Sequence, residues 1–416
     1  MSATKSSTLF GTDRRVIALG VARMADAMGN SFLIVVLPLY IASGSVSGEL
    51  FGFSESLITG LVLGLYGLVS SAFQPFAGRL SDKAGKRRSF VILGLVLFMF
   101  ANFSYVLADS YEILFVIRAA QGIAAALTIT ASIALVSEVS RTETRGENMG
   151  VYNSFRLIGF GAGPLLSGIL VEAGPYPVPY IGEINGFIAS FCVAGFMALI
   201  SGLLVSIMVS DPEETEPSTE KMVFRVTSDS PDYTLDPIFA LGLATFIMST
   251  GFALLASIEP QINERLSQGA FIFSIQFSAL VGMLALVQPF VGRLSDRYGR
   301  KVFIVAGLIG LVPITLAQGL STESWHLITT RALQGISAAM VFAPALALAG
   351  DLTKAGQEGA QLSVLTVSFG IGISFGAFIS GFAIRFGFIA PFAIGAALAA
   401  LGAILVQTQV PKKPDD

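Results

Sequence analysis

A helix needs about 20 mostly apolar residues to cross a bilayer, and runs of that length recur twelve times along the chain, separated by turn-rich or charged segments. The predicted spans are 16–41, 54–78, 88–108, 112–137, 149–171, 184–209, 237–258, 270–292, 302–320, 324–349, 359–383 and 388–408. The first span holds Arg23 and Asp26 and is not followed by a small-residue cleavage pattern, so it is read as a retained helix rather than a signal peptide. The expected fold class is therefore an all-α membrane protein with 12 transmembrane helices.

The polar segments between the spans set the expected topology. Lys5, Arg14, Arg15, Lys83, Lys86, Arg87, Arg88, Arg141, Arg145, Lys221, Arg225, Arg297, Arg300, Lys301, Lys354, Lys412 and Lys413 all fall on one side of a twelve-span chain, against Arg265 and Arg385 on the other. Cytoplasmic loops carry the lysine and arginine excess, so the expectation is a multi-pass protein of the cell membrane with both termini cytoplasmic. The longest polar stretch, "SDPEETEPSTEKMVFRVTSDSPDYTLD" at 210–236, has the composition of a mobile linker. It divides the chain into an N-terminal six-helix bundle, 1–209, and a C-terminal six-helix bundle, 237–416.

The halves repeat one another. "GRLSDKAGKRRSF" begins at Gly78 and "GRLSDRYGRKVF" at Gly292, 214 positions apart; "RAAQGIAAA" at Arg118 recurs as "RALQGISAA" at Arg331, 213 apart, and "GPLLSG" at Gly163 aligns with "GAFISG" at Gly376 at the same spacing. Three separated matches at nearly constant offset make the bundles pseudo-symmetric, a pattern of secondary transporters.

Composition excludes several other classes. The chain is 53% hydrophobic and 13% charged, where a soluble domain carries about 25% charged residues. A net charge of −3 without a basic arm gives nucleic acid nothing to bind. The single cysteine, Cys192, rules out an internal disulfide and reads as a packing residue. No metal-ligand cluster or nucleophile triad is evident, and "GFGAGP" at 159–164 lacks the lysine of a phosphate loop. Neither an enzyme, a cofactor, a metal nor ATP coupling is expected. The expected partners are the lipid bilayer, a small-molecule substrate and protons, with the protein a monomer.

The repeated motif has a physical logic of its own. Two helices joined by so few residues need a tight reversal, which Gly85 and Gly299 supply by accepting positive φ, while Asp82 and Asp296 cap or pair at neighbouring helix ends. Its residues also carry a resemblance. Gly78, Ser81, Asp82, Lys83, Gly85, Lys86, Arg87 and Arg88 meet the helix 2–3 motif of the major facilitator superfamily, and the copy, with Gly292, Asp296, Arg297 and Gly299, lacks the last basic position, where Val302 stands. Arg118, Gln121 and Gly122 match the helix 4 motif, with Ala124 in place of a glycine. "GFGAGPLLSG" supplies Gly159, Gly163, Pro164 and Gly168 of the helix 5 motif, with Ser167 replacing another glycine. The chain resembles this superfamily from about residue 14 to 409, and the helix 5 motif tilts the resemblance toward its drug:proton antiporter branch. The resemblance implies a gating role for the two charged loops, bracing the halves when the cytoplasmic side is shut, and links Arg118 to proton coupling.

Ionisable groups inside spans cost roughly 2.5 to 3.5 kcal/mol each on insertion scales, which makes Arg23, Asp26, Arg118, Arg156 and Arg331 the candidates for function. Asp26 lies about eleven residues into the first span, near mid-bilayer at ~1.5 Å rise per residue, with Arg23 and Asn30 on its face. A carboxylate that deep gains or loses its proton according to the distance of a partner arginine, so Asp26 is a proton-coupling candidate, and Arg118 is the second, as the resemblance implies. A permanent Arg23–Asp26 or Asp26–Arg118 structural pair is the alternative. Arg23, Asn30, Gln121, Arg156, Arg331 and Gln334 are the substrate-cavity candidates; Arg156 has no repeat mate, its equivalent being Phe369. Glu138, Glu259 and Asp351, nearer span ends, are expected to be solvated or capping groups. The glycines of 159–168, with the bend that Pro164 permits, and of 370–381 are expected to form a hinging or sliding seam at the interface of the halves. Trp325 and His326 are read as an interfacial anchor.

The functional expectation is proton-coupled efflux of small amphipathic compounds by alternating access. A proton-coupled carrier of organic anions or metabolites, even an importer, is the alternative within transport, because four deep arginines against one deep carboxylate leave the interior positive. A transport-inactive membrane sensor or scaffold is the alternative outside it.

Overall fold

The computed structural model describes residues 8–9, 12–48, 52–140, 145–180, 182–211, 225–228, 233–352 and 358–411. Lys5, Arg141, Lys221, Lys354, Lys412 and Lys413 of the charge pattern, and most of the polar segment 210–236, lie outside the described residues. Thirteen α-helices make up the described chain: α1 (Arg14–Ala42), α2 (Glu55–Ala84), α3 (Arg87–Ser104), α4 (Tyr111–Val139), α5 (Arg145–Ala173), α6 (Gly186–Met208), α7 (Pro237–Ala253), α8 (Glu259–Leu266), α9 (Ala270–Tyr298), α10 (Arg300–Gly319), α11 (Ser324–Leu352), α12 (Glu358–Ala383) and α13 (Ala390–Gln409). Twelve helical spans among the described residues are long and apolar enough to cross a membrane. They coincide with the twelve predicted, α7 and α8 together forming the seventh. The protein is an all-α, multi-pass membrane protein.

The seventh span runs on to Leu266 through α8, and the next largest boundary differences lie at the two charged motifs. Helices α2 and α9 run through them to Ala84 and Tyr298, and the reversal is confined to the glycines that follow. Gly85 has φ +62° and Gly299 φ +104°, conformations an L side chain adopts only under strain. Prolines within α2 and α9, Pro75 and Pro289, obey the same 214-residue offset. Polar caps start two other spans: Asn185 accepts from the Ile188 N–H at 2.8 Å, and Asp236 accepts from the Ile238 and Phe239 N–H groups at 2.9 and 3.2 Å, with Pro237 in the first turn of α7.

The contacts resolve into two compact units, one formed by residues 1–36, 43–48 and 69–218, the other by 37–42, 49–68 and 219–416. In the first, α3 packs against α4 and α6; in the second, the repeat-related α10 packs against α11 and α13. A buried cluster in the first unit joins Val16, Leu19, Val91, Leu95, Leu135, Tyr152 and Val205 from α1, α3, α4, α5 and α6. Exposed large apolar side chains such as Leu107, Ile207, Leu286 and Ile404 suit a surface solvated by lipid. The last part of the polar segment 210–236 is ordered against its own unit: Thr227 bridges Leu235, and the Thr234 and Leu235 N–H groups donate to Gln409 Oε1 at 2.9 and 3.0 Å, at the end of α13.

Candidate functional site

Arg23, Asp26 and Arg156 of the first unit lie where α1 meets α5. Asp26 is 1% exposed, and Arg23, one turn earlier on α1, donates to its carboxylate through Nη1. Tyr152 of α5 lies within electrostatic range of Arg23, Asp26 and Arg156, and Arg156 within range of Arg23. The Tyr152 hydroxyl is buried beside Ser132, and the Oδ1 of Asn30 is buried without a hydrogen-bond partner. Arg156 is half-buried, its Nε donating to Asn153 Oδ1 at 3.4 Å. Among the described residues the group brings together two arginines and one carboxylate. Tyr152 escaped the sequence reading; its position four residues before Arg156, on the same helix face, was the available signal.

Helix α5 reaches this position because its glycines admit α1. A side chain at Gly159 would collide with the Met24 carbonyl, and one at Gly163 with Ser31 Oγ and, at 2.7 Å, the Met28 carbonyl. Ser31 in turn donates to the Met28 carbonyl at 3.0 Å and the Gly159 carbonyl at 3.4 Å. Gly159 and Gly163 therefore press on the helix that carries Asp26, within one unit. Pro164 and Gly168 continue the same helix, and the Ser167 hydroxyl donates to the Pro164 carbonyl at 3.0 Å.

Arg118 and Arg331 anchor matching buried networks. Arg118 donates to Gln121 Oε1 at 3.1 Å, Tyr105 donates to the same oxygen at 3.0 Å, and Gln121 donates to Asn102 Oδ1 at 3.2 Å. In the second unit Arg331 donates to Gln334 Oε1 at 2.7 Å, Gln318 donates to that oxygen at 3.0 Å, and Gln334 donates to the Gly251 carbonyl at 3.0 Å. Each network joins the fourth helix of its half to an amide on the third. Arg118 is 3% exposed and Gln121, Arg331 and Gln334 are 0% exposed.

The charged loops are also paired by the repeat. Arg87, 3% exposed, donates to Asp82, to Ser81 Oγ at 2.8 Å and to Glu138 Oε1 at 3.0 Å, so it ties α2, α3 and α4 together. Arg300 donates to Asp296 at 2.9 Å and to Asp351. Arg88 donates to the Ser206 carbonyl at the end of α6, and Lys301 donates to the Val410 carbonyl after α13 at 2.6 Å, cations at helix C-termini in both halves. The second loop does not lack its last basic residue, as the alignment on Val302 suggested: it is one residue shorter between Asp296 and Arg300, and Lys301 stands where Arg88 does. Glu138 is held by Arg87 rather than solvated, and Asp351 pairs with Arg300 while remaining 44% exposed. Lys83 and Arg297 are exposed, and Gly78 and Gly292 face open space. Trp325 and His326 form an edge-to-face pair, with Trp325 62% exposed.

Glu259 departs furthest from expectation. It is 0% exposed rather than solvated, because the break between α7 and α8 turns it inward.

The family model described as Major Facilitator Superfamily matches residues 19–239 and 241–416. The chain belongs to that superfamily. Its members are transporters, not enzymes. An uncharacterized MFS-type transporter of Methanocaldococcus jannaschii is 22% identical over 381 residues, covering 89% of this chain and 91% of that protein. The quinolone resistance protein NorA of Staphylococcus aureus is 24% identical over 191 residues, covering 46% of this chain and 44% of NorA. Among solved structures, a bacterial homolog of the human lysosomal transporter Spinster aligns with a TM-score of 0.76 at 14% identity, covering 94% of this chain and 95% of that one. The human organic anion transporter MFSD10 aligns at 0.68 and 19% identity, covering 95% and 99%. These likenesses carry the fold.

Proposed function

We propose that this superfamily member is a proton-coupled exporter of small amphipathic compounds in the cell membrane, with both termini cytoplasmic, working by alternating access between its two six-helix halves. The observation that supports this most is the buried Asp26, held by Arg23 on α1 and faced by Tyr152 of α5, with Arg156 within range of Arg23. A carboxylate in that setting exchanges a proton when its arginine moves to or from it, and a substrate group competing for Arg23 or Arg156 supplies the movement. Proton entry and substrate exit then use one charge position in turn. Arg118 braces α4 beside α3, and the loop residues Asp82 and Asp296 stabilise the state closed to the cytoplasm. The partial similarity to NorA favours efflux.

An organic-anion carrier is the second reading. The excess of arginine over carboxylate at the α1–α5 site favours it, and so does the fold shared with an organic anion transporter. Everted vesicles loaded with cationic, neutral or anionic compounds, assayed with and without a pH gradient, test both. Gradient-driven accumulation of cations or neutral amphiphiles is the expected result; accumulation restricted to anions replaces it with the second reading, and no gradient dependence for any compound overturns proton coupling.

A further inference from the structure

Helix α7 stops at Ala253, and the chain passes through a 3-10 turn at Ala256–Ile258 before α8 begins at Glu259. A carboxylic acid with no exposed surface thus opens a new helix. Its Oε1 accepts from Asn263 Nδ2 at 3.5 Å, while Oε2 is buried with no hydrogen-bond partner. The next residue, Pro260, has no N–H to offer, so the helix start supplies one donor fewer than usual. An ionised carboxylate in such a place keeps an uncompensated charge and an empty acceptor, both costly away from water.

No counter-charge relieves it among the described residues. On α8, Glu264 and Arg265 are exposed, and Arg265 is engaged with the Ser321 carbonyl at 3.3 Å and the Phe388 ring. On α9 the first charged side chain is Arg293, more than six turns along the helix from its start. Glu55 at the start of α2, Glu323 before α11 and Arg385 after α12 are exposed, with Arg385 stacked on Phe382 and Phe386. The polar neighbours are amides already paired with one another. Gln268 donates to Asn263 at 3.0 Å, Gln268 and Gln276 exchange hydrogen bonds at 3.0 and 2.7 Å, and Gln261 donates to Ser56 Oγ at 2.8 Å. Gln261 Oε1 is a second buried acceptor without a donor. At Glu259 itself the Oε2 acceptor is left without a donor, and a proton on the carboxyl turns it into a donor.

We infer that Glu259 is a proton-binding carboxyl of the second half, protonated while the α7–α8 break is packed as seen here and separate from Asp26 in the first half. The inference goes beyond the proposed function and does not depend on Asp26 coupling transport.

Infrared spectroscopy of the purified full chain, uniformly labelled with carbon-13 glutamate, tests it without any substrate. The label separates glutamic from aspartic carboxyls, and the other glutamates whose side chains are described are exposed or paired with arginine. The expected result is a labelled protonated-carboxyl band at neutral pH that is lost in Glu259→Gln and present, unlabelled and shifted, in Glu259→Asp. Absence of a labelled protonated band in the parent protein overturns the proposal with no variant needed. A band that persists undiminished in folded Glu259→Gln overturns it as well. If Glu259→Gln fails to fold, the parent and Glu259→Asp spectra decide the matter alone. An Asp26→Asn protein that keeps the labelled band separates this site from the coupling site.

Discussion

Arg331 donates through Nη2 to the carbonyl oxygen of Phe252 at 3.2 Å, tying α11 to the last turn of α7. The last carbonyls of a helix have no partner in their own helix, and α7 ends one residue later. Gln334 takes the Gly251 carbonyl in the same way. Two side chains one turn apart on α11 thus satisfy the backbone that the break in α7 leaves open.

Arg331→Ala removes the bond to the Phe252 carbonyl and leaves Gln334 without its charged donor. Hydrogen bonds to charged groups are worth about 1.5 to 3 kcal/mol each, so the variant should melt well below the parent in detergent. Arg331→Lys should recover only part of the loss, since one ammonium cannot reproduce the fork of the guanidinium. An Arg331→Ala protein with parental stability and impaired ligand binding would instead place Arg331 in the substrate cavity.

The two charged loops should respond unequally to the loss of their arginine. Arg87 is 3% exposed and holds Asp82, Ser81 and Glu138, whereas Arg300 is 23% exposed and its partners are 56% and 44% exposed. Exposed pairs contribute about 0 to 1 kcal/mol. Arg87→Ala should therefore lower thermal stability clearly and Arg300→Ala hardly at all. Equal losses in the two variants would show that burial does not set the difference.

These contrasts show what the sequence could and could not convey. The spans were legible because apolar length alone decides them, and the two loops because Gly85 and Gly299 carry a backbone requirement that leaves one residue type. The Asp26 site was half legible: Arg23 and Asp26 share a helix face by spacing, but Tyr152 reaches them only through the α1–α5 contact that Gly159 and Gly163 permit. Glu259 was misread for a related reason. "EPQINERL" looks like a solvated segment, but Glu259 opens it buried, after a helix break that apolar content does not register.

Asp82→Asn tests the gating role. If the aspartate stabilises the state closed to the cytoplasm, its loss should raise labelling of single cysteines placed at the inner mouth of the cavity and lower turnover. Equal labelling in variant and parent would leave Asp82 as a partner of Arg87 and part of a turn.

Asp26→Asn should abolish transport driven by a pH gradient while preserving ligand binding or exchange, because the amide keeps the shape of the carboxyl and cannot cycle a proton. Arg23 then lacks the partner it has in the parent, so stability in detergent is measured alongside. Undiminished gradient-driven transport in a folded Asp26→Asn protein would remove Asp26 from the coupling mechanism.

Arg156 decides which substrate charge the α1–α5 site accepts. It stands within range of Arg23 and, among the described residues, is hydrogen-bonded to Asn153 at 3.4 Å and paired with no carboxylate, so an anionic substrate group would give it a charged partner. Arg156→Lys should keep some anion transport, since a point charge survives, and Arg156→Ala should lose it, since neither charge nor fork remains. Losing a charge-assisted hydrogen bond of about 1.5 to 3 kcal/mol corresponds to roughly 10- to 150-fold in affinity. Neutral substrates should lose less than anionic ones in the same variants, measured by binding to the purified protein. If both variants instead melt far below the parent, Arg156 braces α5 and is not a substrate contact. If both are stable and bind anions as the parent does, the excess of arginine at this site does not select the substrate, and the organic-anion reading loses the residue it rests on.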